Sequence, residues 1–229
     1  MTSIERIVCF ANSRKLSQSC IAGKNMNGEN ITNWIRPVSA FGSGEVGGER
    51  LYSDGTEPAL LDVIELGLIG AKPKGCHVED QLIDTKIRWT KRGRIDFAQA
   101  LSLIDQFSGP LWVDGYHTSN GLNDSIPVEM AEIMVGSLLL IQPDSLNMVA
   151  TVEGKYFNNP KKKVRGSFSF SGSHYTFSVT DLKIEAEFLQ QEEGFSRNTQ
   201  KPLLCLSVSE PFEKQKACYK LIAGVIEQS

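Results

Sequence analysis

The sequence of 229 residues lacks the cysteine spacings that form a disulfide framework or bind a metal ion. An odd number of cysteines without C-x-x-C spacing excludes a disulfide framework and a zinc ribbon. We therefore expect five free thiols. The residues concerned are Cys9, Cys20, Cys76, Cys205 and Cys218.

Long apolar runs and an excess of charge of one sign are also missing. The longest apolar run, Leu138 to Ile141, is far shorter than the roughly 20 residues that span a bilayer, so no membrane segment is expected. The 24 Lys+Arg nearly balance the 27 Asp+Glu, for a net charge of −3. This balance excludes a protein that coats nucleic acid by bulk charge, but it leaves room for a local basic groove. The first residues lack the features of a secretory signal, which favours a cytoplasmic location.

Short runs of Val, Ile, Phe and Leu, interrupted by Gly, Asn, Asp and Ser, predict a mainly β fold. Two helices are expected, Asp96 to Phe107 and Leu182 to Gln190, because an aspartate that can cap a helix stands at or just before the start of each. The predicted strands are Ile4–Phe10, Ile31–Val38, Leu60–Ile69, Leu82–Thr90, Ser137–Gln142, Asn147–Glu153, Val164–Ser171, His174–Thr180, Leu203–Ser209 and Tyr219–Ile226.

The segment from Arg165 to Thr180 is the clearest supersecondary unit. Aromatic residues alternate with serines and threonines on both sides of Ser171-Gly172-Ser173, which predicts a hairpin with those three residues as its turn. One face of this ribbon is aromatic, and it either enters a barrel core or is displayed for binding. General burial preferences favour the core.

In the first half of the chain, a polar and basic stretch at residues 12–23 separates two strand signals and reads as a loop. Ser13, Arg14 and Lys15 are candidate phosphate contacts, and Trp34 beside Arg36 offers a stacking plane next to a guanidinium. The alternative is structural: Arg36 in a surface ion pair and Trp34 in the core.

In the second half, basic residues follow Asn158-Asn159-Pro160 in what reads as a loop. They can neutralise phosphates, and Tyr175 of the hairpin can stack on a base. The candidates here are Lys161, Lys162, Lys163, Arg165 and Tyr175.

Catalytic and metal-binding readings have little support in the sequence. His77, His117 and His174 lack the spacing of a metal site, and a Cys20–His117 nucleophile and base pair has no motif behind it. The glycines at 42–48 lack the Gly-Lys-Ser/Thr ending of a phosphate loop. We expect no catalytic residues, no metal and no cofactor.

Four segments together resemble the bacterial dual OB-containing domain family, over nearly the whole chain. They are Trp34-Ile35-Arg36-Pro37-Val38-Ser39, Ser178–Asp181, Ser209-Glu210-Pro211-Phe212 and Tyr219–Gly224. The resemblance implies two consecutive OB barrels, nucleic-acid or nucleotide binding, and a setting in prokaryotic conflict or phage defence. It adds Lys220 to the candidate positions and includes Ser13, Arg14, Lys15, Trp34 and Arg36.

The combined expectation is a mainly β protein of two OB-like β-barrels with short helices, the first lobe at residues 1–135 and the second at 136–229. Its expected partner is single-stranded nucleic acid or a nucleotide ligand, with a protein partner as a further possibility and no membrane. The alternatives are an enzyme or accessory that acts on nucleotides or modified bases, and a protein-interaction module.

Overall fold

The computed structural model describes residues 1–15, 18–26, 34–40 and 46–228. They form two compact units, the first of Met1–Asp105 with Val135–Ser137, and the second of Gln106–Met134 with Leu138–Ser229. These bounds differ from the lobes expected at 1–135 and 136–229. The 106–134 segment belongs to the second unit because its backbone is hydrogen-bonded there, for example between Leu122 and Thr176 in both directions, at 3.2 and 3.0 Å.

The first unit is built from strands that form one sheet, followed by a short helix. They are β1 (Ser3–Lys15), β2 (Gln18–Asn25), β3 (Trp34–Val38), β4 (Asp62–Ala71), β5 (Asp80–Ile83), β6 (Thr90–Arg94) and α1 (Phe97–Leu101).

The first sheet closes on itself. Its strand order is β1-β2-β3-β5-β4, and β4 pairs again with β1, so five strands form a barrel to which β6 adds as an edge strand on β4. The β3–β5 pair is parallel and the others are antiparallel. Apolar side chains that include Ile7, Ile21, Ile64 and Trp89 fill the interior. This is the five-stranded architecture of an OB barrel.

The second unit has more strands and two helices. They are β7 (Ser125–Pro127), α2 (Val128–Ala131), β8 (Leu138–Ile141), β9 (Ser145–Glu153), β10 (Lys161–Phe170), β11 (Ser173–Val179), α3 (Leu182–Leu189), β12 (Ser196–Gln200), β13 (Leu203–Val208) and β14 (Ala217–Ile226).

The second sheet repeats the order of the first. Its path is β12-β9-β10-β11-β14-β13-β8, and the central β9-β10-β11-β14-β13 corresponds to β1-β2-β3-β5-β4. The equivalent of the β3–β5 pair, β11 with β14, is again parallel. Helix α3 follows β11 and precedes β12 in the sequence, and its Ile184 and Phe188 pack into the core of the second unit. The expectation of a mainly β chain with OB-like lobes and short helices is confirmed.

The aromatic hairpin forms as predicted, with a shorter turn. Phe170 pairs with Ser173, so the turn is Ser171-Gly172, and both of these residues have positive φ, 48° and 82°. A two-residue turn with positive φ at both positions matches the twist of antiparallel strands. The aromatic face is core: Phe168 stacks on Tyr175 at 5.4 Å between ring centroids.

Several local predictions are wrong. Residues 12–15 and 18–23 are not a loop, because they pair as strands β1 and β2 in the register Asn12↔Ile21 to Lys15↔Gln18. The lysine run at 161–163 is not in a loop either, because β10 begins at Lys161. The predicted strand Leu82–Thr90 is mostly the connection between β5, which ends at Ile83, and β6, which begins at Thr90. The first helix ends at Leu101.

Further predictions concern the cysteines, a membrane-spanning segment and two ranges that the structure does not describe. The five cysteines are free thiols, as expected. Among the described residues, no helix is long and apolar enough to cross a membrane. Residues 31–33 of one predicted strand, and 42–45 of the glycine segment, lie outside the described residues.

Candidate functional site

The loop between β9 and β10, residues 154–160, displays the most exposed aromatic side chain of the described chain. Gly154 and Asn158 have positive φ, 77° and 52°, and a short 3-10 turn lies between them. The Asn159 N–H donates to the Gly154 carbonyl at 3.1 Å, which draws the two ends of the loop together. Tyr156 at its tip is 98% exposed.

Glycine is required at the base of this loop. A Cβ on Gly154 would lie 2.4 Å from the Asn159 carbonyl oxygen, and its φ is in the left-handed region. Only glycine adopts that conformation readily at such a close approach. The local sequence therefore builds a narrow loop that holds Tyr156 away from the sheet.

Two lysines at the start of β10 stand beside this loop. Lys161 and Lys163 are exposed, and alternation along the strand puts them on one side of it. Lys162 points to the other side and donates to the carbonyls of Leu189, at 3.0 Å, and Gln191. Lys162 thus holds the C-terminal end of α3, whereas Lys161 and Lys163 face solvent.

Lys155 of the loop makes an ion pair with Glu193, which follows α3 in the same unit. Its ammonium contacts both carboxylate oxygens of Glu193 at 2.8 Å. This hydrogen bond lowers the pKa of the Glu193 carboxyl. The candidate surface around the loop, named the 154–163 surface, therefore presents one aromatic ring, Tyr156, and two solvent-facing ammonium groups.

Arg165 and Tyr175, two sequence candidates in the same sheet, are engaged inside the fold. The Arg165 guanidinium contacts both oxygens of Glu153, at 2.6 and 3.1 Å, and Asp124 at 3.4 Å. The Tyr175 hydroxyl accepts from the Leu111 N–H at 3.2 Å and donates to Asp114 at 3.0 Å. Burial raises the pKa of Tyr175.

Lys220, the candidate taken from the resemblance, is also buried. Its ammonium donates to the Val113 carbonyl and lies 3.6 Å from an oxygen of Asp114. It also stands over the Tyr175 and Phe177 rings, at 5.6 and 5.7 Å from their centroids. Burial lowers the pKa of Lys220 to about 8, although Asp114 acts in the opposite direction.

The first unit places its candidates on the β1–β2 hairpin and on β3. Ser13 is buried, and Arg14 is exposed near the end of the hairpin, opposite Ser19. The backbone of Lys15 belongs to β1, and its side chain lies outside the described part of the structure. Arg14 is thus the described candidate of this hairpin that faces solvent.

Trp34 on β3 is half-buried and belongs to a cluster around a buried lysine. Lys24 is almost fully buried, and its ammonium donates to the Leu103 carbonyl at 2.6 Å and to Asp105 at 2.5 Å. The Trp34 indole N–H donates to the other oxygen of Asp105 at 3.1 Å, and the Lys24 ammonium lies 5.3 Å from the Trp34 ring centroid. The chain's own carboxylate therefore occupies this part of the β2–β3 face.

Arg36 is held in a similar way. Its guanidinium contacts Asp80 at 2.9 Å and the Ser137 hydroxyl at 2.7 Å, and all three residues are buried. Ser137 in turn donates to Glu79, from its backbone at 2.7 Å and from its hydroxyl at 3.0 Å. One alternative for Arg36 was an ion pair at the surface; the ion pair with Asp80 forms, but it is buried.

The structure also shows basic residues that the sequence reasoning missed. The segment 86–94 holds five basic residues and no acidic one. Among the described strands, β6 pairs with β4 alone, and its Lys91 and Arg94 contact Asp62 at 2.7 and 3.3 Å. Counting charge in a nine-residue window would have found this segment.

The potential catalytic groups are spread over the fold. Cys20 lies in β2 of the first unit, and His117 lies in the 106–134 segment of the second. His77 faces Asp80 at 4.0 Å. Within the described residues, no group of three or more His, Cys, Asp or Glu is arranged to hold a metal ion.

The two sheets with the strand order β1-β2-β3-β5-β4 and its repeat, together with an aromatic and basic loop between β9 and β10, define an OB-type β-barrel protein. The chain belongs to the dual OB-containing domain family, whose family model matches residues 5–225. This confirms the resemblance seen in the sequence. Neither the curated proteins nor the solved structures gave a significant match.

Proposed function

We propose that this chain is a nucleic-acid-binding module that engages single strands at the 154–163 surface of its second unit. The observation that carries the proposal is the exposed Tyr156 ring in the loop that leads directly to Lys161 and Lys163. OB folds contact oligonucleotides through the loop between their first two strands, among other elements. The 154–160 loop holds that position, because β9 and β10 correspond to β1 and β2 of the first unit.

The chemistry of the surface fits a single strand. A tyrosine ring in solvent offers a flat face on which a base of any identity stacks, a contact of about 1–3 kcal/mol. The two lysines would neutralise phosphates on either side of that base and release condensed counterions. Tyr156 supplies a site for an unpaired base, whereas a duplex keeps its bases stacked on each other.

The remaining sequence candidates divide by their surroundings. Arg14 and Lys15, at the end of the β1–β2 hairpin, stay proposed as phosphate contacts of the first unit. The side chains of the other candidates are buried or hydrogen-bonded within the fold, so we propose that they contribute indirectly by stabilising the binding surfaces. These candidates are Ser13, Trp34, Arg36, Lys162, Arg165, Tyr175 and Lys220.

The biological setting is part of the same proposal and comes from the family resemblance. We propose that the module acts in the cytoplasm of a bacterium, in a defence against phage. Comparing the plating efficiency of phages on cells with and without the gene tests this setting. Equal plating of every phage tested would contradict it.

Fluorescence anisotropy tests the binding site. A labelled 20-nucleotide single strand of DNA, its RNA equivalent and a duplex are titrated with wild type, Tyr156→Ala and Tyr156→Phe. Loss of the ring is expected to raise Kd roughly 5- to 150-fold, because one base loses its stacking partner. The phenylalanine variant keeps the ring and is expected to bind as wild type does.

Tyr116→Ala is the matched control, since Tyr116 is another exposed tyrosine of the second unit. Its Kd is expected to equal that of wild type. If wild type binds but Tyr156→Ala binds equally well, the 154–163 surface is not the site. If wild type binds no single strand even at low salt, the proposed function is wrong, and a small nucleotide or a protein partner takes its place.

A further inference from the structure

Strand β6 is an edge strand of the first sheet, and most of its side chains are basic. The side chains of Lys91, Arg92 and Arg94 are 45%, 48% and 53% exposed. Lys86 and Arg88, which precede the strand, are exposed as well. With Arg6 of β1, these six residues make up what we call the basic edge.

The ion pairs of the basic edge leave an excess of positive charge. Arg6 and Arg92 share the carboxylate of Glu65, at 2.9 and 2.5 Å. Lys91 and Arg94 share Asp62. Two more carboxylates lie near this edge, since Lys86 helps to lower the pKa of Asp84 and Lys91 helps to lower that of Asp54. Six cations against these four carboxylates leave the basic edge with a net charge of +2, in a chain whose net charge is −3.

Stability of the barrel does not require so many cations. Asp62 is buried and already accepts hydrogen bonds from the Tyr52 hydroxyl, at 3.2 Å, and from the Ala59 N–H, at 3.1 Å. Ion pairs between exposed residues contribute about 0–1 kcal/mol each, so the pairs of Glu65 add little. The two arginines on Glu65 keep guanidinium N–H groups in solvent, because each guanidinium has five donors.

The alternative use of an exposed edge strand is pairing with another strand. Lysine and arginine on an edge strand oppose such pairing, because they must be desolvated or displaced. The same residues suit a polyanion, since guanidinium groups bind phosphate with two parallel hydrogen bonds. The chemistry of this edge therefore fits a row of phosphates better than a peptide strand.

The usual OB surface of the first unit is not open to a ligand of this kind. On the β2–β3 face, Asp105 already binds the Lys24 ammonium and the Trp34 indole. Arg36 on the same face is bound to Asp80 and Ser137. Apart from Arg14 and Lys15 at the end of the β1–β2 hairpin, the cations proposed to contact phosphates in this unit lie along the basic edge.

We propose that the basic edge binds the phosphate backbone of a nucleic-acid strand without reading its sequence. This inference rests on the proposed function, since the ligand is the nucleic acid engaged by the 154–163 surface. In this proposal Lys86, Arg88 and Arg92 supply the electrostatic affinity of the first unit for phosphates.

A salt series on a triple variant tests the inference. Lys86→Gln, Arg88→Gln and Arg92→Gln are combined, which leaves Arg6 on Glu65 and both cations on Asp62, so the fold is expected to persist. Each phosphate contact with a single strand adds about −0.7 to the slope of log K against log salt, so the slope is expected to become shallower by about 2. Affinity at low salt is expected to fall at least tenfold.

The matched control removes the same charge elsewhere. Lys183→Gln, Lys201→Gln and Lys214→Gln change three exposed lysines of the second unit, and the slope is expected to stay that of wild type. Arg88→Glu is a second test that changes a single exposed side chain. It is expected to weaken binding more than Arg88→Gln.

The outcomes separate the two proposals. If Tyr156→Ala weakens binding but the triple variant keeps the wild-type slope, the inference is overturned and the proposed function stands. If the triple variant alone weakens binding, the basic edge is supported and the 154–163 surface is overturned. A slope that changes equally in the control triple variant overturns the inference, because bulk charge then explains the effect.

Discussion

Lys220→Met makes a quantitative test of burial in the second unit. The substitution keeps an unbranched side chain at a residue that is 1% exposed, and it removes the ammonium, which lies over the Tyr175 and Phe177 rings. Burial lowers the pKa of this amine to about 8 in the folded chain, from an ordinary value of 10.5. The folded state therefore releases the proton of Lys220 at a lower pH than the unfolded state does.

The sign of the pH dependence follows from proton counting. Between pH 8 and 10.5 the unfolded chain keeps the proton of Lys220 and the folded chain has lost it. Stability rises with pH wherever the unfolded state binds more protons, by about 1.4 kcal/mol per pH unit and per proton. The stability of wild type relative to Lys220→Met is thus expected to increase by about 2–3 kcal/mol from pH 7 to pH 10.

Urea denaturation at four pH values from 7 to 10, on both proteins, measures this difference. Burial also raises the pKa of Cys218 and of Tyr219, but both groups are present in both proteins, so their contributions to the pH dependence cancel in the difference. Exposed Lys214→Met serves as the control and is expected to give a difference that does not vary with pH. A constant difference between wild type and Lys220→Met would refute the reasoning, because the amine would then titrate as it does in water.

Two further substitutions test the packing of each unit. Gly23→Ala is expected to destabilise the first barrel by about 1–3 kcal/mol or more, because its Cβ would lie 2.2 Å from the Val8 carbonyl oxygen. Gly48→Ala, whose Cβ would lie in open space, is the control. Equal urea midpoints for the two variants would contradict the close approach at Gly23. Asp181→Ala is expected to cost about 2–4 kcal/mol, since its buried carboxylate caps α3 at Lys183 and Ile184 and accepts the Val225 N–H at 3.0 Å. The exposed cap of α1, Asp96→Ala, is expected to cost only about 1 kcal/mol, and thermal unfolding that ranks the two caps in the opposite order would show that the Val225 bond adds nothing.

Elements with a strong local signal were predictable from the sequence. The hairpin β10–β11 follows from alternation of aromatic and hydroxylic residues, and α3 follows from Asp181, whose carboxylate caps the helix as expected. Strand β2 escaped prediction because the polar and basic stretch at residues 12–23 was interpreted as a loop, whereas pairing with β1 and the partners of Lys24 stabilise the strand. Strand β6 escaped because lysine, arginine and glycine are rare in strands other than edge strands.

The candidate site could be predicted only in part, and the reason is distance along the chain. The lysine run at 161–163 was visible as a run, but the exposure of Tyr156 depends on how the 154–160 loop turns. The partner of Arg36 is Asp80, 44 residues away, and Lys220 contacts Val113, 107 residues away. Such pairs arise from strand pairing and barrel closure, which no local pattern specifies.

The buried cations change how charge in this sequence is to be interpreted. Lys24, Arg36 and Lys220 each have a carboxylate partner inside their own unit, so their charge is already neutralised before any ligand arrives. Removing one partner of such a buried pair lowers the free energy of unfolding by several kcal/mol. A ligand that took the cation away from its carboxylate would have to supply the same free energy. Solvent-facing cations such as Lys161, Lys163 and Arg88 carry no such cost. Binding measurements should therefore respond to substitutions at these exposed positions, whereas substitutions at the buried cations should register first as a loss of folding stability.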